Sequence, residues 1–400
     1  MNDEEEKIKR IPAVVLGMSA NGLSVARSLG RKGIPVFGMN STKYQAGMFS
    51  RYCKPVICPD PLRDESGFLE FLVKFAKRHP QKPVLMLTAD KYIQLVSRNR
   101  EELLLYYRFL LPDAPLVEAF LDKRKSYQLA EQYGLAHPKS YSVKNEEDLK
   151  NIIPELKFPC ALKPALSHIW KLKFGAKKLI VAQTPEDLLE SFSELREEGQ
   201  KVMVQEIIPG RDEDIYALVT YFNQQHEPLA VFTKRKLRQF PIYFGVSTLG
   251  ISERNETVLT TGIEFLKKVN YSGLAGIEFK YDVRDNKFKF TEVNIRTLLS
   301  GEMAVASGVD LPYIYYRDLT GEKVEKVETF KEGVKLVNLE LDIASFWYYW
   351  KKKELTLPEW IRSLKGNLKH TYFALDDLNP FLFECIIFLT KIWRRREDIF

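Results

Sequence analysis

Phe290-Thr291-Glu292-Val293-Asn294-Ile295-Arg296 alternates apolar and polar side chains with the two-residue period of a β-strand. That period puts Glu292, Asn294 and Arg296 on one face. Upstream, Gly276-Ile277-Glu278-Phe279 repeats the alternation, and Asp285-Asn286 between the two stretches has the chemistry of a hairpin turn. Pairing the strands brings Glu278 beside the other three. Two carboxylates and an amide oxygen are hard donors, suited to Mg²⁺ that must also hold polyphosphate oxygens. Arg296 on the same face can clamp an anion or a developing negative charge. A surface hairpin with a charged outer face has the same alternation, so the rest of the chain decides between the two.

Three further stretches bear on it. Phe158-Pro159-Cys160-Ala161-Leu162-Lys163-Pro164 sets a lysine inside an apolar, strand-like run. Val202-Met203-Val204-Gln205-Glu206-Ile207-Ile208 is another apolar strand, ending in a polar pair before a Pro209-Gly210 turn. Asp122-Lys123 opens a helical stretch that leads to Tyr133-Gly134. In this order the motifs resemble the ATP-grasp superfamily of ATP-dependent carboxylate ligases, and within it the carboxylate–amine ligase group that includes the D-aspartate ligases.

The resemblance implies an α/β (α+β) fold of ATP-grasp architecture, with ATP and Mg²⁺ as cofactors. It makes Lys123 and Lys163 the phosphate-facing lysines and Gln205, Glu206 and Ile208 the hinge that meets adenine. One of Asp212, Glu213 and Asp214 would meet the ribose hydroxyls, with Asp214 the representative choice. Glu278, Glu292 and Asn294 match the metal ligands, and Arg296 the arginine that stabilises the acyl-transfer intermediate. In the basic run Lys234-Arg235-Lys236-Leu237-Arg238, Lys234 and Arg235 are the picks for acyl-phosphate chemistry; on charge alone the run also suits a solvated strand. One departure stands out. Where such ligases close a glycine-rich loop over the phosphates, Leu166 to Lys178 has one glycine, a tryptophan and four lysines. Lys177 or Lys178 would then replace backbone N–H donors, and His168 and Trp170 would serve substrate recognition.

Composition agrees with a large enzyme. With 400 residues, 45% apolar and 28% charged, the chain can bury a substantial core and is not disordered. Its net charge of +7 is modest, and without zinc-finger spacing or an RNA-binding signature nucleic acid is excluded as a partner. The basic balance suits anionic substrates or an anionic membrane face. Cys53, Cys58, Cys160 and Cys385 have neither metal-like nor framework spacing, which predicts a reducing, cytoplasmic setting. The acidic start Met1 to Glu6 predicts no secretory signal.

Along the chain, Ile11 to Gly17, a helix through Leu29 and a strand over Ile34 to Met39 begin a Rossmann-like N-terminal domain, residues 1–111. Its turn, G-M-S-A-N-G, has two glycines, and the second strand ends in Asn40-Ser41 without an acidic residue, so a nicotinamide site is the weaker reading. Ser19, Asn21, Gly22, Thr88 and Asp90 are candidates for contact with an acyl substrate. A linker helix and lid follow over 112–205, with helices at Glu146–Ile153 and Pro185–Glu198. Residues 206–330 form the catalytic lobe, mostly strands with one helix at Glu256–Val269. A C-terminal extension, 331–400, holds Phe346-Trp347-Tyr348-Tyr349-Trp350 and the apolar segment Phe381 to Trp393, which is too short to span a bilayer. That segment reads either as a helix packed on the catalytic lobe or as one at the inner face of an anionic membrane. Asp376-Asp377-Leu378-Asn379-Pro380 resembles the element before the last helix of such ligases.

The predicted activity couples a carboxylate, that of an amino acid, to an amine through an acyl phosphate. The alternatives are a non-catalytic ATP-binding module and an NAD(P)-dependent dehydrogenase.

Overall fold

The computed structural model describes residues 11–164, 179–197 and 202–397. Four strands, β1 (Ala13–Leu16), β2 (Val36–Asn40), β3 (Lys54–Ile57) and β4 (Val84–Leu87), form a parallel sheet in the order β3-β2-β1-β4. The inner strands Ala-Val-Val-Leu and Val-Leu-Met-Leu are wholly buried, as strands covered on both faces must be. Strand β3 escapes sequence reading because Lys54-Pro55-Val56-Ile57 is mostly exposed and carries a proline, which only an edge tolerates. Helices α1 (Ala20–Gly30), α2 (Glu65–Ala76) and α3 (Asp90–Arg98) join this sheet. A Cβ on Gly22 would stand 2.0 Å from the Gly17 carbonyl oxygen. The second glycine of the turn thus serves close packing of α1 on the end of β1.

After α4 (Lys123–Gln132), a small antiparallel sheet runs β5-β8-β6-β7, made of β5 (Ser140–Val143), β6 (Cys160–Pro164), β7 (Ile180–Ala182) and β8 (Val202–Glu206). Helices α5 (Glu146–Ile152) and α6 (Pro185–Glu197) close its core over Leu149, Leu162, Leu188, Phe192 and Val204.

The largest sheet has seven strands in the order β13-β12-β9-β10-β11-β14-β15. They are β9 (Ile215–Phe222), β10 (Pro228–Phe240), β11 (Val246–Ser252), β12 (Gly273–Asp282), β13 (Lys287–Asn294), β14 (Lys335–Val337) and β15 (Leu368–His370). Leu218, Ile277, Phe279 and Phe290 bury one face against Val258 and Phe265 of α7 (Glu256–Lys268). On the other face Val219, Tyr221 and Phe232 pack with the parallel-sheet residues Val15 and Met86. Two helices there, α8 (Gly301–Ala306) and α9 (Leu311–Thr320), are additions to the single helix predicted for this region. The signals for α9 stand in the sequence: an Asp310 cap, Pro312 in the first turn and a left-handed Gly321 at the C-terminus.

Beyond residue 330 the chain is no appendage. It supplies β14 and β15 to the largest sheet, then α10 (Leu339–Lys351), α11 (Leu357–Ser363) and α12 (Asn379–Glu397). Buried Asp342 accepts both forks of Arg238, at 2.9 and 2.8 Å, together with Thr248 Oγ1 and Trp360 Nε1, each at 2.8 Å. Buried Asp377 accepts Arg27 Nε at 3.0 Å, Ser50 Oγ at 2.7 Å and the Arg51 N–H at 2.9 Å. No helix among the described residues is long and apolar enough to cross a membrane.

Candidate active site

Register across the largest sheet assembles the polar face. Glu292 on β13 pairs with Glu278 on β12, Glu278 with Ala217 on β9, and Ala217 with Lys234 on β10. Directly paired residues project from the same face. Two carboxylates and a lysine therefore stand in one row, and Ala217 between them adds only a methyl group. The hairpin joining β12 and β13 turns through Asn286 at φ 55°, as Asp285-Asn286 predicts.

Each carboxylate has an ammonium beside it. Lys236 Nζ lies 3.2 Å from Glu278 Oε2, and Lys123 Nζ, from the first turn of α4, lies 3.8 Å from Glu292 Oε2. Cationic groups thus already stand against the two carboxylates that a divalent cation would need, which is the observation that fits this pair to Mg²⁺. Asn294 fits less directly. Its Nδ2 donates to Glu292 Oε1 at 3.0 Å, while its Oδ1 accepts from Arg296 at 2.9 Å. Ligation through that oxygen requires the amide to turn over. Among the described residues no group of three or more His, Cys, Asp or Glu side chains is placed to hold a metal.

Arg296 also donates from Nε to Asp90 Oδ1 at 2.7 Å, across from α3. A cleft runs along this contact, lined by Asp90, Lys123, Tyr127, Glu292 and Asn294. Lys234 is partly exposed, and desolvation pushes its ammonium down to about 8 against the upward pull of Glu278.

The structure does not bring Arg235 to this face. Its Nε lies 3.0 Å from Glu253 Oε2, and its guanidinium sits 5.9 Å from the centre of the Tyr216 ring, both on the α7 side. Lys236, the residue with Lys234's facing, is the one sequence reasoning missed. The two-residue period of β10 was the signal that could have found it.

On the small sheet, Lys163 Nζ donates to Gln205 Oε1 at 2.5 Å, and Gln205 Nε2 donates to Ser140 Oγ at 2.7 Å. Glu206 commits its carboxylate to Arg284 of the β12–β13 hairpin, 2.6 Å away, so it ties the end of β8 to the largest sheet. Ile208 is buried. Asp214 Oδ2 accepts the Arg211 N–H at 2.6 Å. Asp212 is buried on Tyr349 and on Gln239 at 2.5 Å, and burial pushes its carboxyl up, which leaves it a structural group. Lys177 and Lys178, with His168 and Trp170, lie outside the described residues. On the parallel sheet, Asn21 Nδ2 donates to the carbonyls of Thr88 and Thr297, both at 3.2 Å, and Thr88 Oγ1 donates back to Leu16 at 2.7 Å. Asn21 therefore holds the sheet to the 297 loop, while Thr88 ties the end of β4 to the end of β1.

A parallel sheet, a small antiparallel sheet and a large one bearing paired carboxylates give the chain an ATP-grasp fold. In sequence the chain resembles a D-aspartate ligase from Enterococcus faecium (strain Aus0004), with 29% identity over 317 residues, 74% of each chain. Its fold is similar to that of N5-carboxyaminoimidazole synthetase from Staphylococcus aureus, solved with ADP: TM-score 0.65, 15% identity, 86% of this chain and 87% of that one. It is also similar to the biotin carboxylase domain of a 2-oxoglutarate carboxylase from Hydrogenobacter thermophilus, solved with MgADP, ADP and bicarbonate: TM-score 0.64, 15% identity, 82% of this chain and 74% of that one. No family model matches the chain.

Proposed function

We propose that the chain is an ATP- and Mg²⁺-dependent ligase that joins a carboxylate, that of an amino acid, to an amine. The single observation that carries this is the row Glu292–Glu278–Ala217–Lys234, with Arg296 beside it, in a fold shared with nucleotide-bound relatives. A carboxylate is a poor electrophile because its leaving group would be oxide. In the first step a carboxylate oxygen forms a bond to the γ-phosphorus and the bond to ADP breaks. In the second the amine nitrogen forms a bond to the acyl carbon, phosphate leaves, and the amine gives up a proton.

This needs positioning and charge neutralisation, not a protein nucleophile. Glu278 and Glu292, with Asn294 after rotation of its amide, would hold Mg²⁺, which would neutralise phosphate charge. Lys123 and Lys163 meet the phosphates, with Lys178 of the loop a further donor, and Gln205, Glu206 and Ile208 meet adenine. Asp214 keeps Oδ1 for the ribose. Lys234 and Lys236 neutralise the acyl phosphate, and Arg296, fixed by Asp90, faces the oxyanion. The parallel sheet lies within a Rossmann-like domain (1–111), the small sheet within a linker and lid (112–205), and the carboxylate row within the catalytic lobe (206–330) completed by the extension (331–400).

ADP release with Mg-ATP across D- and L-amino acids and dicarboxylates, with and without amine acceptors, tests the reading. Turnover that needs one carboxylate and disappears in Glu292→Ala supports it. ATP binding with no turnover on any combination returns the non-catalytic module instead.

As partners we propose the two small substrates and, from the cytoplasmic side, an anionic lipid surface. The lipid is met through α10 and not through the predicted segment over 381–393, whose helix α12 stacks Phe383 on Phe49 with ring centres 4.3 Å apart. Helix α10 is inverted: Asp342, Ser345 and Tyr349 are buried, while Leu339, Ile343, Trp347 and Trp350 are exposed at helical spacing. Exposed Lys351, Lys352 and Lys353 follow, with Lys351 Nζ 4.9 Å from the centre of the Trp347 ring. An aromatic stripe bordered by lysines matches the headgroup region of an anionic bilayer. Sedimentation with phosphatidylglycerol vesicles but not with phosphatidylcholine vesicles, lost in a Trp347→Gln/Trp350→Gln variant, is the expected result. Unchanged sedimentation of that variant, or none by the parent protein, removes the lipid partner.

A further inference from the structure

On the side of Lys234 away from Glu278 lies a narrow cleft, open to solvent at its mouth. Strands β10 and β11 give it Lys234, Thr248 and Gly250; Ser300 comes from the loop before α8; Asn338 and Thr371 come from beyond residue 330. Ser300 is only 3% exposed, and its hydroxyl makes no hydrogen bond. Although it stands at the N-cap of α8, it does not cap it. A buried hydroxyl without a partner is costly, and this one borders the cleft.

The other polar atoms around the cleft are partly committed. Asn338 Oδ1 accepts the Leu341 N–H at 3.4 Å as the cap of α10, which leaves Nδ2 for a ligand. Thr248 Oγ1 gives its proton to Asp342 at 2.8 Å. The Ser247 and Thr371 hydroxyls give their protons to the carbonyls of Leu249 and Val337, at 3.3 and 3.2 Å. Among the described residues the uncommitted hydrogens around the cleft are therefore those of the Lys234 ammonium, the Ser300 hydroxyl and the Asn338 amide. Three donors without a matching acceptor call for a carboxylate. The walls also limit size. A Cβ on Gly250 would stand 3.3 Å from the Arg235 carbonyl oxygen, 3.4 Å from Ser247 Oγ and 3.8 Å from Met303 Cε, so a larger side chain there would narrow the floor.

We infer that this cleft takes the carboxylate of the acyl donor, a compact amino acid, and that Ser300 and Asn338 determine which donor is accepted. The assignment rests on the ligase reading. It gives the C-terminal extension a part in the site, because Asn338 and Thr371 reach the cleft next to the lysine that shares a row with Glu278 and Glu292. A donor seated there sets its carboxylate against Lys234, the lysine that continues the row at which the phosphates are held.

Steady-state kinetics on Ser300→Ala and Asn338→Ala, with Ser300→Thr as the variant that keeps the hydroxyl, test this. Loss of one hydrogen bond to the donor raises its KM about tenfold in each alanine variant. The KM for ATP stays unchanged, kcat falls by less than about threefold, and Ser300→Thr recovers donor affinity. Gly250→Val shifts the donor panel toward smaller amino acids. An unchanged donor KM in both alanine variants, or equal rises for donor and ATP, overturns the assignment while leaving the ligase standing. No turnover by the parent enzyme with any carboxylate overturns the ligase reading and this one with it.

Discussion

Lys234 and Arg235 are adjacent in sequence, yet a strand sends their side chains to opposite faces of the sheet. Lys234 and Lys236 look toward Glu278, and Arg235 toward Glu253 and Tyr216. Lys236→Met should therefore cut turnover by about 10²-fold or more, the usual cost of losing one charge-stabilising donor. Arg235→Met should leave kcat within about threefold, because its half-buried pair with Glu253 lies on the opposite face from the carboxylate row. Equal losses in ADP release from the two variants would contradict this division. Arg296 adds a second case. Its fork spans Asp90 at 2.7 Å and Asn294 at 2.9 Å, a geometry that a lysine cannot reproduce. Arg296→Lys should accordingly lower kcat while ATP affinity, followed by ADP titration, is kept. The grouping of Glu292, Asn294 and Arg296 in the candidate site was legible because alternation within one strand is a local property. Lys236 was legible by the same rule and was passed over for its neighbour. Ser300 and Asn338 were not legible, since their meeting depends on α8 and the extension packing beside β11 from distant parts of the chain.

Helix α10 shows at the level of an element why the extension resisted sequence reading. Hydrophobic residues normally mark the buried stripe of a helix. Here the stripe over Leu339, Ile343, Trp347 and Trp350 is outside, and the inside is a carboxylate, a hydroxyl and a phenol. Each inner group has a partner on the largest sheet or its flank: Asp342 holds Arg238, Ser345 Oγ donates to the Gln239 carbonyl at 3.0 Å, and Tyr349 meets Asp212. The basic run on β10 explains the arrangement, because Arg238 is buried and needs a counter-ion that no neighbouring strand supplies. Breaking that pair leaves an uncompensated buried cation, which costs about 3–5 kcal/mol. Asp342→Asn should lower the unfolding free energy by that amount in urea titrations, and Arg238→Met/Asp342→Leu should recover a large part of it. If the double variant is as unstable as the single, the pair is not what holds α10. Local rules served better where hydrophobic period and burial agree, as in the inner strands β1 and β4 and in α7.

At the scale of the molecule, the extension ties the parallel sheet to the largest one, and one of its contacts titrates. Asp377 is buried against Arg27, while Asp376 beside it lies at the surface, accepting Arg31 Nε at 2.8 Å and Tyr52 O–H at 2.7 Å. Hydrogen bonding to Arg31 holds the Asp376 carboxyl well below the usual carboxylate range. Glu302 of α8 shares the same arginine at 3.3 Å, and burial pushes its carboxyl up. The signs are opposite. A depressed folded-state pKa stabilises the fold above the unfolded value of about 4 and loses that contribution as pH falls through the folded value. A raised one, as for Glu302, destabilises the fold at neutral pH, and the penalty disappears once the carboxyl is protonated in both states. Asp376→Asn should therefore destabilise the protein at pH 7, with the difference from the parent shrinking below about pH 4. Glu302→Gln should behave the other way, relieving a penalty at pH 7 that is absent in acid. The gap between parent and variant urea midpoints, compared at pH 7 and at about pH 3, reads both signs. A gap for Asp376→Asn that stays constant across this range would mean that Asp376 acts through packing. The ionic tie between α1 and the extension would then rest on Asp377 and Arg27 alone.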